Sequence, residues 1–391
     1  GMAPNLPLLA TCPVAACFPN LLLWLSHCLP PKIWRRTGTF EGSSYWLNKS
    51  PCGMLCASVT QFFIYGACYI TNRLIIVPMF GFSTIGIFLL LFYNLLLFMA
   101  SLSHYRTMTT DPGAVPRKAE PLPRDSNKFK RIGRPLPKCR RTGVYKPPRA
   151  HFDRQIQRNV VRMDHHCPWV NNCVGLGNQK LFLLFLLYIS LSCWLSLGLV
   201  LTLFVRCGQS SSRMALKIMA KSGMPRAPRH TELATQEMLE VCKLTTQSPH
   251  VTILYALLTF EALMFGLFTI CMLCDQVGSI VSDQTKIDRL QKKTFRKANP
   301  FFQNLAEVMG DAEYCSEWLW PSKPCWRDWE TLYGYTLPGE EREKEIQKKN
   351  EIEKEEGSDV SIKANIVNFE DKKVQSNSAI ELGKLGVEHD V

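Results

Sequence analysis

Residues 181–205 read LFLLFLLYISLSCWLSLGLVLTLFV, an uninterrupted run without a charged side chain. As a helix rising about 1.5 Å per residue, it is long enough to cross a hydrocarbon core of about 30 Å. Uncharged runs of this length belong to membranes rather than to the cores of soluble folds. Three further stretches repeat the pattern. Residues 251–274 (VTILYALLTFEALMFGLFTICMLC) carry only Glu261, and residues 84–100 (TIGIFLLLFYNLLLFMA) carry no charge. Residues 53–71 (GMLCASVTQFFIYGACYIT) are a weaker apolar segment that Leu74–Phe82 prolongs past Arg73. The fold class predicted is an all-α integral membrane protein with four transmembrane helices and a loop domain between helices 2 and 3. Glu261, in mid-membrane, is expected to pack against another helix or to line a cavity. Ser190, Ser192 and Cys193 form a small-residue patch suited to a helix contact or to a cavity floor.

The 391 residues carry a formal net charge of +13. Nearly all of it sits between positions 104 and 180, where seventeen Lys and Arg stand against five Asp and Glu. The positive-inside bias places this loop in the cytosol with both termini, and the 206–248 loop in the lumen. Anionic membrane lipids are the nearest partner for a basic loop between two membrane helices, and no nucleic-acid partner is expected. Cys207 and Cys242 flank the lumenal loop and are expected either to bridge in an oxidising compartment or to remain free thiols. Residues 1–50 read as a leader, cytosolic or re-entrant, broken by Pro13 and Pro19. The expected division is helices 1 and 2 in 51–103, a cytosolic cysteine-rich domain in 104–180, and helices 3 and 4 in 181–275. A cytosolic C-terminal region (276–339) and a charged, disordered tail (340–391) follow.

Within the basic loop, Asp164, His165, His166 and Cys167 stand in a row, with Cys173 six residues on. Two chemistries fit. A thiol needs a base, and a neighbouring imidazole oriented by a carboxylate supplies one: Cys167, His165 and Asp164. Pro168 biases Cys167 toward extended angles, and Arg162 adds positive field that would favour a thiolate. Alternatively His165, His166, Cys167 and Cys173 could ligate a structural zinc ion. Local spacing leaves both open; a thiol fourteen residues before a membrane helix is placed to exchange long acyl chains at the bilayer surface, a substrate that spacing alone does not identify.

KPPRAH at 146–151 and RMDHHCPWVNNCVG at 162–175 resemble the cysteine-rich domain of the DHHC protein S-acyltransferases. TDPGAVP (110–116), TKID (285–288) and NLAEVMG (304–310) are similar to that family's Asp-Pro-Gly, Thr-Thr-x-Glu and C-terminal Asn motifs. The resemblance implies a protein S-palmitoyltransferase that takes an acyl group from palmitoyl-CoA onto Cys167 and passes it to cysteines of cytosolic or membrane substrate proteins. It implies His165 as general base, Asp164 as its orienting group, and Trp169 at the mouth of an acyl cavity between the helices, with Ser192 deep inside it. A Golgi or endoplasmic-reticulum membrane is the expected location.

The same resemblance implies two structural zinc ions, and here the chain departs from the pattern. One site would use Cys139, Thr142, Phe152 and Asn159; the other Asp153, Ile156, His166 and Cys173. Only Cys139, His166 and Cys173 match the expected ligand type. Zinc is expected to be lost or sub-stoichiometric, and a catalytically impaired membrane adaptor is the alternative function.

Overall fold

The computed structural model describes residues 37–41, 43, 45–132, 135–219, 242–243, 248–292, 299–311 and 315–339. Most of the expected leader, most of the 206–248 loop and the charged tail lie outside them. Among the described residues, four helices are long and apolar enough to cross a membrane: α1 (Pro51–Phe80), α2 (Thr84–Thr109), the Gln179–Gln209 part of α4 (Gln179–Met219), and α5 (Pro249–Ser282). A short α3 (Pro123–Ile132) lies between α2 and α4. The described residues are thus mostly helical, with three two-stranded sheets, the first pairing β1 (Thr37–Gly38) with β2 (Tyr45–Trp46).

Each spanning helix runs past its apolar core. Ser50 caps α1 through the Gly53 amide, with Pro51 at the first helical position. Pro78 cannot donate to the carbonyl four residues back, that of Leu74. The helix accordingly widens into a π-helical stretch at Thr71–Ile76, and the Tyr255 hydroxyl of α5 donates to the Leu74 carbonyl at 2.6 Å. Gly81, at φ +57°, turns the chain into α2, which Ser83 caps. α2 continues to Thr109 rather than ending at 103, because its last carbonyls find a donor: the Asn172 amide reaches the oxygens of Thr107 and Thr110, both at 2.9 Å. α4 likewise continues past Val205 to Met219.

The segment between α2 and α4 is built on two antiparallel hairpins. β3 (Ala150–Asp153) pairs with β4 (Arg158–Val161), and β5 (His165–Cys167) pairs with β6 (Asn172–Val174). A 3-10 turn, Pro168–Val170, closes the second hairpin. The Asp-Pro-Gly segment anchors this layer: the Asp111 carboxylate accepts from the Gly113 and Ala114 amides, and the Gly113 carbonyl accepts from Val161. After α5 come α6 (Lys286–Leu290), α7 (Phe301–Met309), α8 (Cys315–Leu319) and α9 (Trp329–Tyr333). The bundle core of Tyr93, Leu97, Leu184 and Leu258 is continuous with Cys167, Val170 and Val174, so the second hairpin is packed onto the helices as part of one core.

Candidate active site

In β5 alternate side chains face opposite ways, so His165 and Cys167 share one face and His166 takes the other. Cys167 is extended, at φ −112° and ψ 109°, as the following proline favours. The face with His165 and Cys167 opens on an apolar cavity of about 600 Å³ between the helices, within the range of sites that enclose a ligand. Trp169 stands at its mouth, 41% exposed. Phe182, Ile189 and Ser192 of α4 line its wall, with Ser192 buried and donating to the Tyr188 carbonyl. Glu261 lines the cavity as well, so of its two expected roles the cavity-lining one holds. Deep in the cavity the Tyr93 hydroxyl and Ser196 hydroxyl are 2.8 Å apart.

Asp164 is buried and surrounded by donors. Its Oδ2 accepts from His165 Nδ1 at 2.8 Å and from Gln276 Nε2 at 2.9 Å, and its Oδ1 accepts from the Lys286 backbone amide at 2.9 Å. Gln276 is itself fixed by Gln179, 3.1 Å away. Burial opposes the charge on Asp164, but the His165 and Lys286 hydrogen bonds outweigh it and hold the carboxyl below its ordinary value. Burial likewise works against the His165 imidazolium. Its hydrogen bonds to Asp164 and to the Cys167 thiol prevail and raise it to about 9. With Nδ1 turned to Asp164, Nε2 is the nitrogen left for the thiol. A proton leaving Cys167 therefore has a strong acceptor beside it.

The TKID segment supplies the Lys286 amide. Thr285 caps α6 and forms a reciprocal capping box with Asp288. Burial works against the Asp288 carboxylate, but His151 and then Arg149, from which it accepts at 3.0 Å, prevail and hold it down at about 2. Arg149 also pairs with Asp283 at 2.9 Å, and Arg162 pairs with Asp283 and with Glu307 of α7. Arg162 is thus committed to carboxylates. The expectation that it would lend its charge to the Cys167 thiol is corrected. Sequence reasoning missed Gln276 and His104. His104, buried on α2, has its Nε2 2.8 Å from the Trp169 carbonyl and its Nδ1 2.8 Å from Gln61 Nε2. The available signal was a polar side chain inside an apolar helix.

The two implied zinc ions do not fit these residues. At the first position Asn159 donates to the Thr142 hydroxyl at 3.1 Å, Cys139 is hydrogen-bonded to Thr142 and Asn159, and the Phe152 ring, with no ligand atom, lies under the Arg141 guanidinium. At the second, β5–β6 register sets His166 opposite Cys173. His166 Nδ1 is 2.9 Å from Asp153 Oδ2, while Asp153 Oδ1 accepts from the Gln155 and Ile156 amides. Ile156 fills the fourth corner, buried with Val160, Met163 and Cys173. Burial, with Asp153 alongside, pushes the Cys173 thiol well up. Among the described residues, no group of three or more His, Cys, Asp or Glu side chains is placed to hold a metal ion.

A family model described as DHHC palmitoyltransferase matches residues 134–293. Palmitoyltransferase ZDHHC3 of Rattus norvegicus is 34% identical over 287 residues, covering 72% of this chain and 84% of that one. Palmitoyltransferase ZDHHC3 of Homo sapiens gives the same identity and coverage, and Palmitoyltransferase ZDHHC3-A of Danio rerio is 35% identical over 252 residues, 64% of this chain and 70% of its own. A mostly helical membrane fold with an Asp-His-His-Cys hairpin at the mouth of an apolar cavity defines a membrane acyltransferase. The chain belongs to the DHHC palmitoyltransferase family: it is a protein S-acyltransferase, and the family's acyl donor is acyl-CoA.

Proposed function

We propose that the chain transfers a long-chain acyl group through a thioester on Cys167. His165 Nε2 takes the thiol proton, and Asp164 holds the resulting imidazolium. The Cys167 thiolate attacks the acyl-CoA carbonyl, the bond to the CoA sulfur breaks, and His165 returns the proton to the leaving thiolate. A substrate cysteine then gives its proton to His165 and attacks the acyl-Cys167 carbonyl, releasing Cys167. Trp169 flanks the mouth, and the cavity past Ser192 shields the chain from water. Cysteines of cytosolic or membrane proteins are the acceptors. The basic 104–180 segment faces the cytosol with both termini, and Cys207 and Cys242 face the lumen of the Golgi or endoplasmic reticulum.

One observation carries this reading: His165 and Cys167 share a strand face at the cavity mouth, with Asp164 fixed by three donors. The adaptor alternative rested on lost zinc ligands, and the arrangement of the three groups needs no metal contact. The test is incubation of purified wild type and Cys167→Ser with alkyne palmitoyl-CoA. Hydroxylamine-sensitive label at Cys167 in wild type, absent from the variant, supports the reading; none at Cys167 contradicts it.

A further inference from the structure

The first turns of helix α1 carry two thiols, Cys52 and Cys56, that the reaction does not use. Cys52, Cys56, Thr60, Phe63, Ile64 and Ala67 are spaced three and four residues apart, which puts them on one helix face. The last four line the acyl cavity. The stripe therefore runs out of the cavity along α1 and ends, two turns further on, in Cys56 and then Cys52. Cys52 is exposed and Cys56 half-buried. The two stand one turn apart on the same helix face, and Cys56 lies within electrostatic reach of Cys167.

The first turn of α1 is held in this place. A side chain at Gly53 would collide with the Asn171 carboxamide, so α1 packs directly on the turn that follows Cys167. The Asn171 amide donates to the Asn48 carbonyl at 2.7 Å and ties down the residues just before the helix. The first turns of α1 and the turn that follows Cys167 are thus packed together at the end of the cavity that Cys167 and Thr60 line.

We infer that Cys56, with Cys52 one turn outward, is an intramolecular acyl-acceptor site served by Cys167. The inference rests on the acyl-enzyme reading of Cys167. The Cys56 thiolate attacks the thioester carbonyl of acyl-Cys167; a new carbon–sulfur bond forms to Cys56 and the bond to Cys167 breaks. Cys167 leaves as the thiolate and takes up the proton that Cys56 released. One thioester replaces another, with no oxidant or reductant. The one-turn spacing of the two α1 thiols allows the same exchange onward to Cys52. Cys167 is then free to take a second chain from acyl-CoA, while the first remains on the α1 thiols.

The experiment is site-resolved mass spectrometry of the full-length protein in detergent after alkyne palmitoyl-CoA labelling and a donor-free chase. Wild type should retain hydroxylamine-sensitive label on the Cys52 and Cys56 peptides after the Cys167 label has decayed. Cys167→Ser should lose label at all three positions. The Cys52→Ser/Cys56→Ser chain should keep its initial Cys167 label and lose at least half of the chase-stable label. Label at Cys52 and Cys56 in Cys167→Ser at the wild-type level would overturn the inference, since those thiols would then react with acyl-CoA directly. Labelling of Cys167→Ser chains at these positions when mixed with the double variant would overturn intramolecular transfer. Label on Cys167 with none at 52 or 56 would sink the inference and leave the acyl-enzyme standing. No label on Cys167 in any chain would sink both.

Discussion

His165 sits between a buried carboxylate and a thiol, and its raised value of about 9 follows from both. Two expectations belong to this residue. His165→Ala should slow acylation of Cys167 about a hundredfold, the usual effect of removing a general base, while Cys167→Ala abolishes it. Equal rates of labelling by alkyne palmitoyl-CoA in His165→Ala and wild type would refute the assignment. The second is a pH effect. The folded value lies above the ordinary 6.5, so the pair's stabilisation is fully present below about pH 6.5 and is lost as pH rises through about 9. Wild type should therefore lose thermal stability across that window by an amount on the order of 3 kcal/mol at most, and His165→Ala should show a flatter profile. On the acid side Asp164, held below its ordinary value, gives the opposite slope, its contribution lost as pH falls through its folded value.

The short helix α6 is the element that links chemistry to the rest of the chain. Its first amide binds Asp164, and Asp288, the capping-box partner of Thr285, is gripped by Arg149. Arg149→Ala leaves two buried carboxylates short of a cation, a change that typically costs about 3–5 kcal/mol. The variant should melt earlier in detergent and label more slowly, and an unchanged melting curve would show that these pairs are solvated. At the far end of α4, Cys207 is bonded to Cys242 across a separation of 35 residues, with Cα atoms 5.5 Å apart; of the two expected states, the bridge is the one formed. Non-reducing peptide mapping should recover a 207–242 linked peptide, and reduction should lower thermal stability by about 3–4 kcal/mol in the chain-entropy model. Free thiols at both positions would contradict it. The four spanning helices were legible because an uncharged run needs no partner to be recognised. Their ends were not: α2 reaches Thr109 only because Asn172, sixty residues on, caps its carbonyls. The three groups at 164–167 were legible from adjacency. Gln276, His104 and the Lys286 amide were not, since each comes to the site through tertiary packing.

At the scale of the whole molecule, the segment where the family resemblance implies zinc is packed through its own side chains. Losing a structural zinc forfeits on the order of 10 kcal/mol of apparent folding free energy. At the implied positions stand a His166–Asp153 pair capped onto the β3–β4 turn, a buried Ile156, a Thr142–Asn159–Cys139 cluster, and a hairpin packed into the bundle core. The sequence exposed the missing ligands but could not reveal these substitutes, because Thr142 meets Asn159, and His166 meets Asp153, only once the hairpins form. The most direct test of the account is to treat the purified protein with a strong zinc chelator, measure its metal content, and follow alkyne palmitoyl-CoA labelling at Cys167 in the same sample. The account predicts less than one zinc per chain and undiminished, hydroxylamine-sensitive label at Cys167. Two tightly held zinc ions, or labelling that vanishes on chelation and returns with added zinc, would contradict it.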